Sequence, residues 1–476
     1  MAVPRLVRRT ALALTAVVTV LASPAGAARA VDTAGSVDFR AGLQPIDGFG
    51  IAEAFQRATL IQGNQGVTLS PEQQREVLDL LFSRTKGAGV SILRIGIGSS
   101  TDKVYDHMPT IEPADPGGPN ATPQYVWDGD DAGQVWIAKQ AKAYGVKRIY
   151  ADAWSAPGFM KDNATDVNGG TLCGLPGTNC ASGDWRQAYA NYLVQFVKFY
   201  RQEGIKITDL GFTNEPDFTA PYASMRFTPT QAADFVKILG PTVKRSGLPL
   251  KLACCDSFGW NEAAGYTAAI EADPEAARWV TTHTGHSYAS QPAAPLPTNR
   301  RTWMSEWNPN GTTWNENWDD GSGFDGFTVA QNIHDSLVKA DASGYVYWVG
   351  QSLGATRAPI QLEGSNYRVS ARLWALAAYS RFIRPGAQRV QATSPDSALQ
   401  ISAFRNADGS KVIEILNTGT ATTADFALDG STGARSATYV TDTTRSLTRT
   451  DTAVVRGGRL SVDLAPRSLT TVVLDR

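Results

Sequence analysis

Surplus charge is the first thing this chain lacks. Across 476 residues, 44 Lys and Arg face 45 Asp and Glu, for a formal net charge of −1. A nucleic-acid partner asks for a basic face, so that class is excluded. Charged residues make up only 19%, while Gly numbers 44 and Pro 25, the mix of a loop-rich, well-packed globular protein. After the first thirty residues no uncharged apolar run is long enough to span a bilayer as a helix, so no membrane partner is expected. Phosphate-loop and dinucleotide fingerprints are absent, as is any Cys/His spacing of a zinc site; neither cofactor nor metal is expected. Internal repeats and low-complexity stretches are missing, which removes a repetitive structural protein from consideration. Nothing in the sequence asks for a second copy, and a monomer is expected.

Cysteine is also scarce, at four. Cys173 and Cys180 bracket a Gly/Pro-rich loop from Gly174 to Asn179, where a disulfide would pin the chain. Cys254 and Cys255 are neighbours on a predicted strand, so their side chains should point to opposite faces and remain two buried thiols. The N-terminus explains the compartment. Arg5, Arg8 and Arg9 precede an apolar run from Ala11 to Leu21, and Ala28-Arg29-Ala30 follows as an A-x-A site. Residues 1–30 therefore read as a secretory signal, and the mature chain as extracellular.

Strand-like and helix-like segments alternate along the chain. Candidate strands are Ile46–Gly50, Ser91–Gly98, Lys147–Trp154, Asp209–Glu215, Leu250–Asp256, Val280–Tyr288, Arg301–Trp307 and Tyr345–Gly350. Ser70-Pro71-Glu72-Gln73 combines an N-cap, a first-turn proline and a capping-box glutamine. Asp184 is read as the cap of a helix to Gln202, Thr228-Pro229 opens another, and Phe327–Ala342 and Ser370–Ile383 are the last two. Eight such units in order predict an α/β fold, a closed (β/α)8 TIM barrel over residues 46–385. Long loops at Thr101–Asp131, Ala156–Gly183 and Asn308–Gly326 follow strands, the side on which this fold builds its site. From Gly386 helical periodicity vanishes, and Asp408-Gly409 between alternating runs marks a hairpin. Residues 386–476, joined by an N-terminal strand within 36–45, are expected to form a side β-sandwich packed rigidly on the barrel.

Two glutamates carry the chemistry. Glu215 closes the fourth predicted strand and Glu306 sits at the end of the seventh, so both should point into one mouth. Paired carboxylates about 5–5.5 Å apart suit retaining glycoside hydrolysis, one as nucleophile and one as acid/base. Glu215, beside Asn214 and Pro216, is read as the acid/base, and Glu306 as the nucleophile with Arg94 as its charge partner. Asn214 is a candidate donor to a sugar 2-hydroxyl. Tyr288 and His286 end the sixth strand, where a tyrosine can donate to the nucleophile. Twelve Trp is a high count; Trp154, Trp307 and Trp348 are candidate sugar platforms, with core packing absorbing most of the rest. Asp128-Gly129-Asp130-Asp131 lacks calcium-loop spacing and is read as a cap for a helix beginning near Ala132.

Several segments resemble glycoside hydrolase family 30 of clan A. They are Ile46-Asp47-Gly48-Phe49-Gly50, Trp154-Ser155-Ala156-Pro157-Gly158-Phe159-Met160, Asn214-Glu215-Pro216 and Glu306. The resemblance runs from about Val37 to the C-terminus. It implies a retaining enzyme with a barrel and a side sandwich built from both chain ends. Glu215 would be its acid/base and Glu306 its nucleophile, with Arg94, Asn214, Tyr288 and Trp348 in the subsite around the cleaved bond. Ala52-Glu53-Ala54-Phe55-Gln56-Arg57, Leu373-Trp374-Ala375-Leu376-Ala377 and Ser380–Gly386 are similar to its fungal-type xylanase branch. There an arginine matching Arg57 is associated with a glucuronate branch on xylan, as a guanidinium fork suits a carboxylate; pairing with Glu53 on the same turn is the competing role. The stretch Gln351–Arg357 departs from the bacterial glucuronoxylanase pattern, so strict dependence on that branch is not implied. The expected activity is endo-β-1,4-xylanase on (glucurono)xylan. Its rivals are a β-1,6-glucanase or β-1,6-galactanase on the same machinery and a non-catalytic polysaccharide-binding barrel.

Overall fold

Residues 1–2, 35–354, 358–431 and 435–475 are described by a computed structural model of the chain. The expected secretory signal, apart from Met1 and Ala2, lies outside them, as do Ala355, Thr356 and Arg357 of the loop after the eighth predicted strand.

The chain starts away from the barrel. β1 (Gly35–Pro45) leads directly into β2 (Gly48–Ala52), the first staff of a closed, all-parallel barrel. The other staves are β3 (Ile92–Ile97), β4 (Arg148–Ala153), β5 (Asp209–Leu210), β6 (Lys251–Ser257), β7 (Val280–His286), β8 (Arg301–Trp307) and β9 (Gly344–Tyr347). β9 pairs with β2 and closes the ring. The helices between them begin where local chemistry starts them. Ser70 and Gln73 form a reciprocal capping box ahead of Pro71–Phe82, and Thr228 and Gln231 do the same ahead of Pro229–Ser246. Asp184 falls one residue outside its predicted place: Trp185 occupies the cap of Arg186–Gln202, and Asp184 accepts from the Arg186 amide and its guanidinium instead.

β5 is much shorter than the predicted Asp209–Glu215. Its ladder ends at Leu210, with one further bond from the Gly211 amide to the Ala151 carbonyl at 2.8 Å. Gly211 lies against the β4 side chains, where an added Cβ would come within 2.1 Å of Asp152 Oδ1 and 2.5 Å of the Tyr150 hydroxyl. Beyond it the chain bends, and Glu215 takes a left-handed backbone with φ 48°. Such a conformation is unfavourable for a residue with a Cβ and gathers at functional sites.

β9 is followed by a small sheet absent from the sequence reading: β10 (Gln351–Leu353), β11 (Ile360–Glu363) and β12 (Asn366–Val369). After the last helix, Ala371–Phe382, come β13 (Gln388–Thr393), β14 (Leu399–Arg405), β15 (Lys411–Asn417), β16 (Thr422–Asp429), β17 (Ser436–Thr441), β18 (Thr448–Thr450), β19 (Ala453–Arg456), β20 (Arg459–Leu464) and β21 (Ser468–Leu474). They form one curled ten-stranded sheet with β1 inserted between β13 and β16. Its inner faces enclose Val37, Phe39, Ile413, Phe426, Leu460 and Val472. The outer side of β15 and β21 gives Val412, Leu416 and Leu469 to the core that runs on from the barrel. Each fully buried side chain of this kind contributes about 1.5–3 kcal/mol, so an apolar seam holds sheet and barrel together. From residue 35 on, the described chain is a single compact unit. Among the described residues no helix is long and apolar enough to cross a membrane.

Cys173 and Cys180 are bonded, with a Cα separation of 5.5 Å, and close the expected loop. Cys254 and Cys255 are bonded to each other, contrary to the two thiols expected. Face alternation assumes a regular strand, and the pairing of β6 with β7 changes register between Cys254 and Ser257.

Candidate active site

The barrel interior is polar, and it is built in tiers. At the foot, Arg148 pairs with Asp209 at 2.9 Å and Asp47 at 2.8 Å, while its guanidinium lies 4.5 Å from the Trp303 ring. Trp303, Tyr150 and Ala253 form an apolar plug above. Over the plug lies Arg94, fully buried on β3. Its guanidinium donates to Asp152 at 2.7 Å, to Asn214 Oδ1 at 2.6 Å and to Glu306 Oε2. One cation thus anchors side chains from three other parts of the barrel wall. A guanidinium is suited to this because its five donors form a rigid fork.

The two glutamates stand at the top. Oxygens of Glu215 and Glu306 and a ring nitrogen of His286 all lie within 4.8 Å of one another. Glu306 Oε1 accepts from the Tyr288 hydroxyl at 3.1 Å, and Tyr288 in turn accepts from Asn308 Nδ2 at 3.2 Å. Glu215 accepts from His286 Nδ1 at 3.1 Å and from the Tyr222 hydroxyl at 3.3 Å. Burial raises the Glu215 carboxyl above the ordinary glutamate range; the bond from His286 opposes that, and the Glu306 charge adds to it. Burial alone would lower His286, yet the Glu306 charge and bonds to Asp256 and Glu215 push it up to about 10. This trio has the composition of a metal site, and it is the only such group among the described residues.

Both glutamates open onto a cleft of about 430 Å3 whose lining includes Trp154, Tyr288 and Trp348. Phe55, Trp154 and Trp348 form an aromatic cluster on one wall, with ring centroids 5.3–5.8 Å apart. Arg57 lines the rim, but its guanidinium is held by Asp106 at 2.7 Å and by the Tyr105 hydroxyl at 2.5 Å. The pairing with Glu53 weighed from sequence is not formed; Glu53 is buried and accepts from Gln351 Nε2 at 2.7 Å. His286 is fully buried behind Glu215, and Asn214 is turned toward Arg94. Trp307 packs into the barrel core and is not among the cleft-lining residues. The Asp128–Asp131 run braces the turn before the helix Gln134–Ala143, Asp128 Oδ1 accepting from the Asp130 and Asp131 amides.

Sequence reading missed Asp152, Asp256, Tyr222, Phe55 and Asn308. Asp152 and Asp256 did carry a signal, since each is a lone acid near the end of an otherwise apolar barrel strand. Tyr222 and Asn308 lie beyond the strand ends, and no periodicity marks them.

The chain is similar to known proteins along nearly its whole length. Residues 46–307 match the glycosyl hydrolase family 30 TIM-barrel domain, and residues 386–472 the glycosyl hydrolase family 30 beta sandwich domain. Among solved structures, the catalytic domain of a family 30 xylanase from Talaromyces cellulolyticus is 41% identical, with a TM-score of 0.87 over 93% of this chain and 100% of that one. A glucuronoxylanase of Bacillus subtilis (strain 168) is 25% identical over 358 residues, 72% of this chain and 77% of its own. An endo-1,6-beta-D-glucanase of Trichoderma harzianum is 25% identical over 407 residues, 79% of this chain and 78% of its own.

Proposed function

Because the chain belongs to glycoside hydrolase family 30, we propose that it is a secreted endo-β-1,4-xylanase working by double displacement with retention. The observation that carries this reading is the pair of carboxylates facing each other within 4.8 Å across one cleft. That spacing falls short of the roughly 6.5–9.5 Å an inverting pair needs to seat sugar and water together, and suits direct attack on the sugar. Glu306, oriented by Arg94 and Tyr288, attacks the anomeric carbon and forms the glycosyl-enzyme. Glu215 is the acid/base: its raised proton affinity suits donation to the leaving oxygen, and it then takes a proton from the incoming water. Trp348, partly exposed on the cleft wall, offers a face for a pyranose ring, while Trp154 is buried behind it with Arg94 over its ring. The barrel of residues 46–385 does the chemistry, and residues 36–45 with 386–476 brace it. Export rests on the secretory signal read in residues 1–30.

Xylan is preferred as substrate because the Talaromyces xylanase is the relative with 41% identity over most of the fold. Arg57 already carries Asp106, so a glucuronate branch is accommodated rather than required. A β-1,6-glucanase is the second reading, supported by the Trichoderma relative. Assays on glucuronoxylan, arabinoxylan, pustulan and β-1,6-galactan separate the two. Expected are long xylo-oligomers early in the digest, released as the β-anomer. Turnover of pustulan alone overturns the xylan reading, and dimers in the first minutes overturn endo attack.

A further inference from the structure

Asp256 has no part in the mechanism above, yet its contacts reach Arg94, His286 and Glu215. It is fully buried near the end of β6, with a left-handed backbone of φ 52°. Its carboxylate accepts from the Tyr150 hydroxyl on β4, and from Thr284 Oγ1 at 2.9 Å and His286 Nε2 at 3.3 Å on β7. Arg94 Nη2 on β3 stands 3.5 Å away. Its amide donates to Thr284 Oγ1 at 3.0 Å, and its carbonyl accepts the Glu215 amide at 2.8 Å. Asp256 therefore grips Glu215 twice: through the main chain, at two consecutive bends of the barrel mouth, and through an imidazole whose far nitrogen reaches Glu215 Oε1 at 3.1 Å.

We propose that Asp256 is a positioning residue that locks His286 as a doubly donating cation against the acid/base Glu215. This rests on the acid/base assignment above. Each ring nitrogen faces a carboxyl oxygen, and while Asp256 and Glu215 are both ionised only the imidazolium, with two N–H groups, can donate to both. Burial works to raise the Asp256 carboxyl, but the Arg94 charge and the His286 bond and charge outweigh it and hold it at about 2. The charged and titratable groups facing His286 are Arg94 on β3, Asp152 on β4, Glu215 and Asp217 beyond β5, Asp256 on β6, Tyr288 after β7 and Glu306 on β8. Among these, Asp256 is the anion bonded to the nitrogen remote from the cleft, so its charge can be removed without touching substrate.

The sign follows. Removing the Asp256 charge loosens the His286 proton; a neutral imidazole no longer opposes the rise in Glu215, and the glutamate holds its own proton more tightly. The alkaline limb of kcat/KM, which reports the acid, then moves upward. Asp256→Asn is expected to lower kcat/KM and to move that limb up by about one pH unit. His286→Gln is expected to move it the same way, and the two changes together should be non-additive. A fall in kcat/KM with the limb unmoved assigns Asp256 a merely structural role and overturns the proposal. Should Asp256→Asn fail to fold, 15N NMR of the unmodified enzyme decides: His286 protonated on both nitrogens from pH 6 to 9 supports it, and a neutral ring at pH 7 ends it. Failure of the underlying reading looks different, since Glu215→Gln would then keep its turnover.

Discussion

Asp256 in the barrel and Glu414 in the sandwich are buried to the same degree, each with no exposed surface. Asp256 is met by a guanidinium, an imidazole, a phenol and a threonine from three other strands of the barrel, and it keeps its charge. Glu414 lies on β15 between Val412 and Leu416, whose side chains join the core shared with the barrel, so it faces the seam too. It accepts one bond, from Thr471 Oγ1 at 2.7 Å, and its other oxygen has no hydrogen-bond partner. Burial pushes it well above the ordinary range, so it keeps its proton. Equal desolvation thus leads to opposite states, and the partners decide which. A charge survives inside a protein only where the fold assembles cations around it, as Arg94 and His286 do for Asp256 and Arg148 does for Asp209 at the barrel foot.

If that contrast holds, stripping charge from the barrel should stop the enzyme, while neutralising the seam should leave its turnover alone. The largest effect is expected for Glu306→Gln, a loss of about 10⁴-fold or more in xylan hydrolysis with oligosaccharide binding retained by calorimetry. Glu215→Gln should cost roughly 10²–10⁴-fold, least on substrates with good leaving groups, which need no acid. Arg94→Met removes the cation shared by Asp152, Asp256 and Glu306 and should cost about 3–5 kcal/mol of unfolding free energy, read by denaturant titration. Replacing Cys173 and Cys180 by Ser opens a loop between residues seven apart and should cost about 2 kcal/mol by the same measurement. The smallest and sharpest is Glu414→Gln. A carboxyl whose proton is bound more tightly folded than unfolded stabilises fully below its unfolded pKa and progressively less as pH rises. The variant should therefore match the parent in melting temperature near pH 4 and exceed it at pH 8, with unchanged kcat. A parent that melts higher at pH 8 would break the comparison, because Glu414 would then be a supported charge.

Most of the scaffold was legible. The barrel staves announce themselves as short apolar runs, Ser70-Pro71 and Thr228-Pro229 mark helix starts, and Asp408-Gly409 marks its hairpin, all through local rules. Legibility fails where an outcome depends on strands far apart in sequence. Asp209–Glu215 looks like one strand, but the β4 side chains and the bond to Asp256 bend it after Leu210. Cys254 and Cys255 obey face alternation only if β6 is regular, and it is not. Arg57 was weighed against Glu53, four residues away, whereas its partners Tyr105 and Asp106 arrive on a loop after the next strand. The carboxylate pair itself could be read because strand ends of a barrel converge whatever their separation along the chain. The cage behind it needed coordinates.

β1 carries a consequence for anyone dividing this molecule. It is made before the barrel, yet it lies in the middle of the ten-stranded sheet, with β13 on one side and β16 on the other. A fragment beginning at residue 386 would lack that keystone. Its six strands from β18 to β13 and its three from β16 to β19 would face each other across an open gap, each with a bare edge inviting aggregation. The strands after residue 386 cannot close their sheet without β1, so this accessory layer is not a portable cassette, and grafting it elsewhere requires residues 35–45 as well.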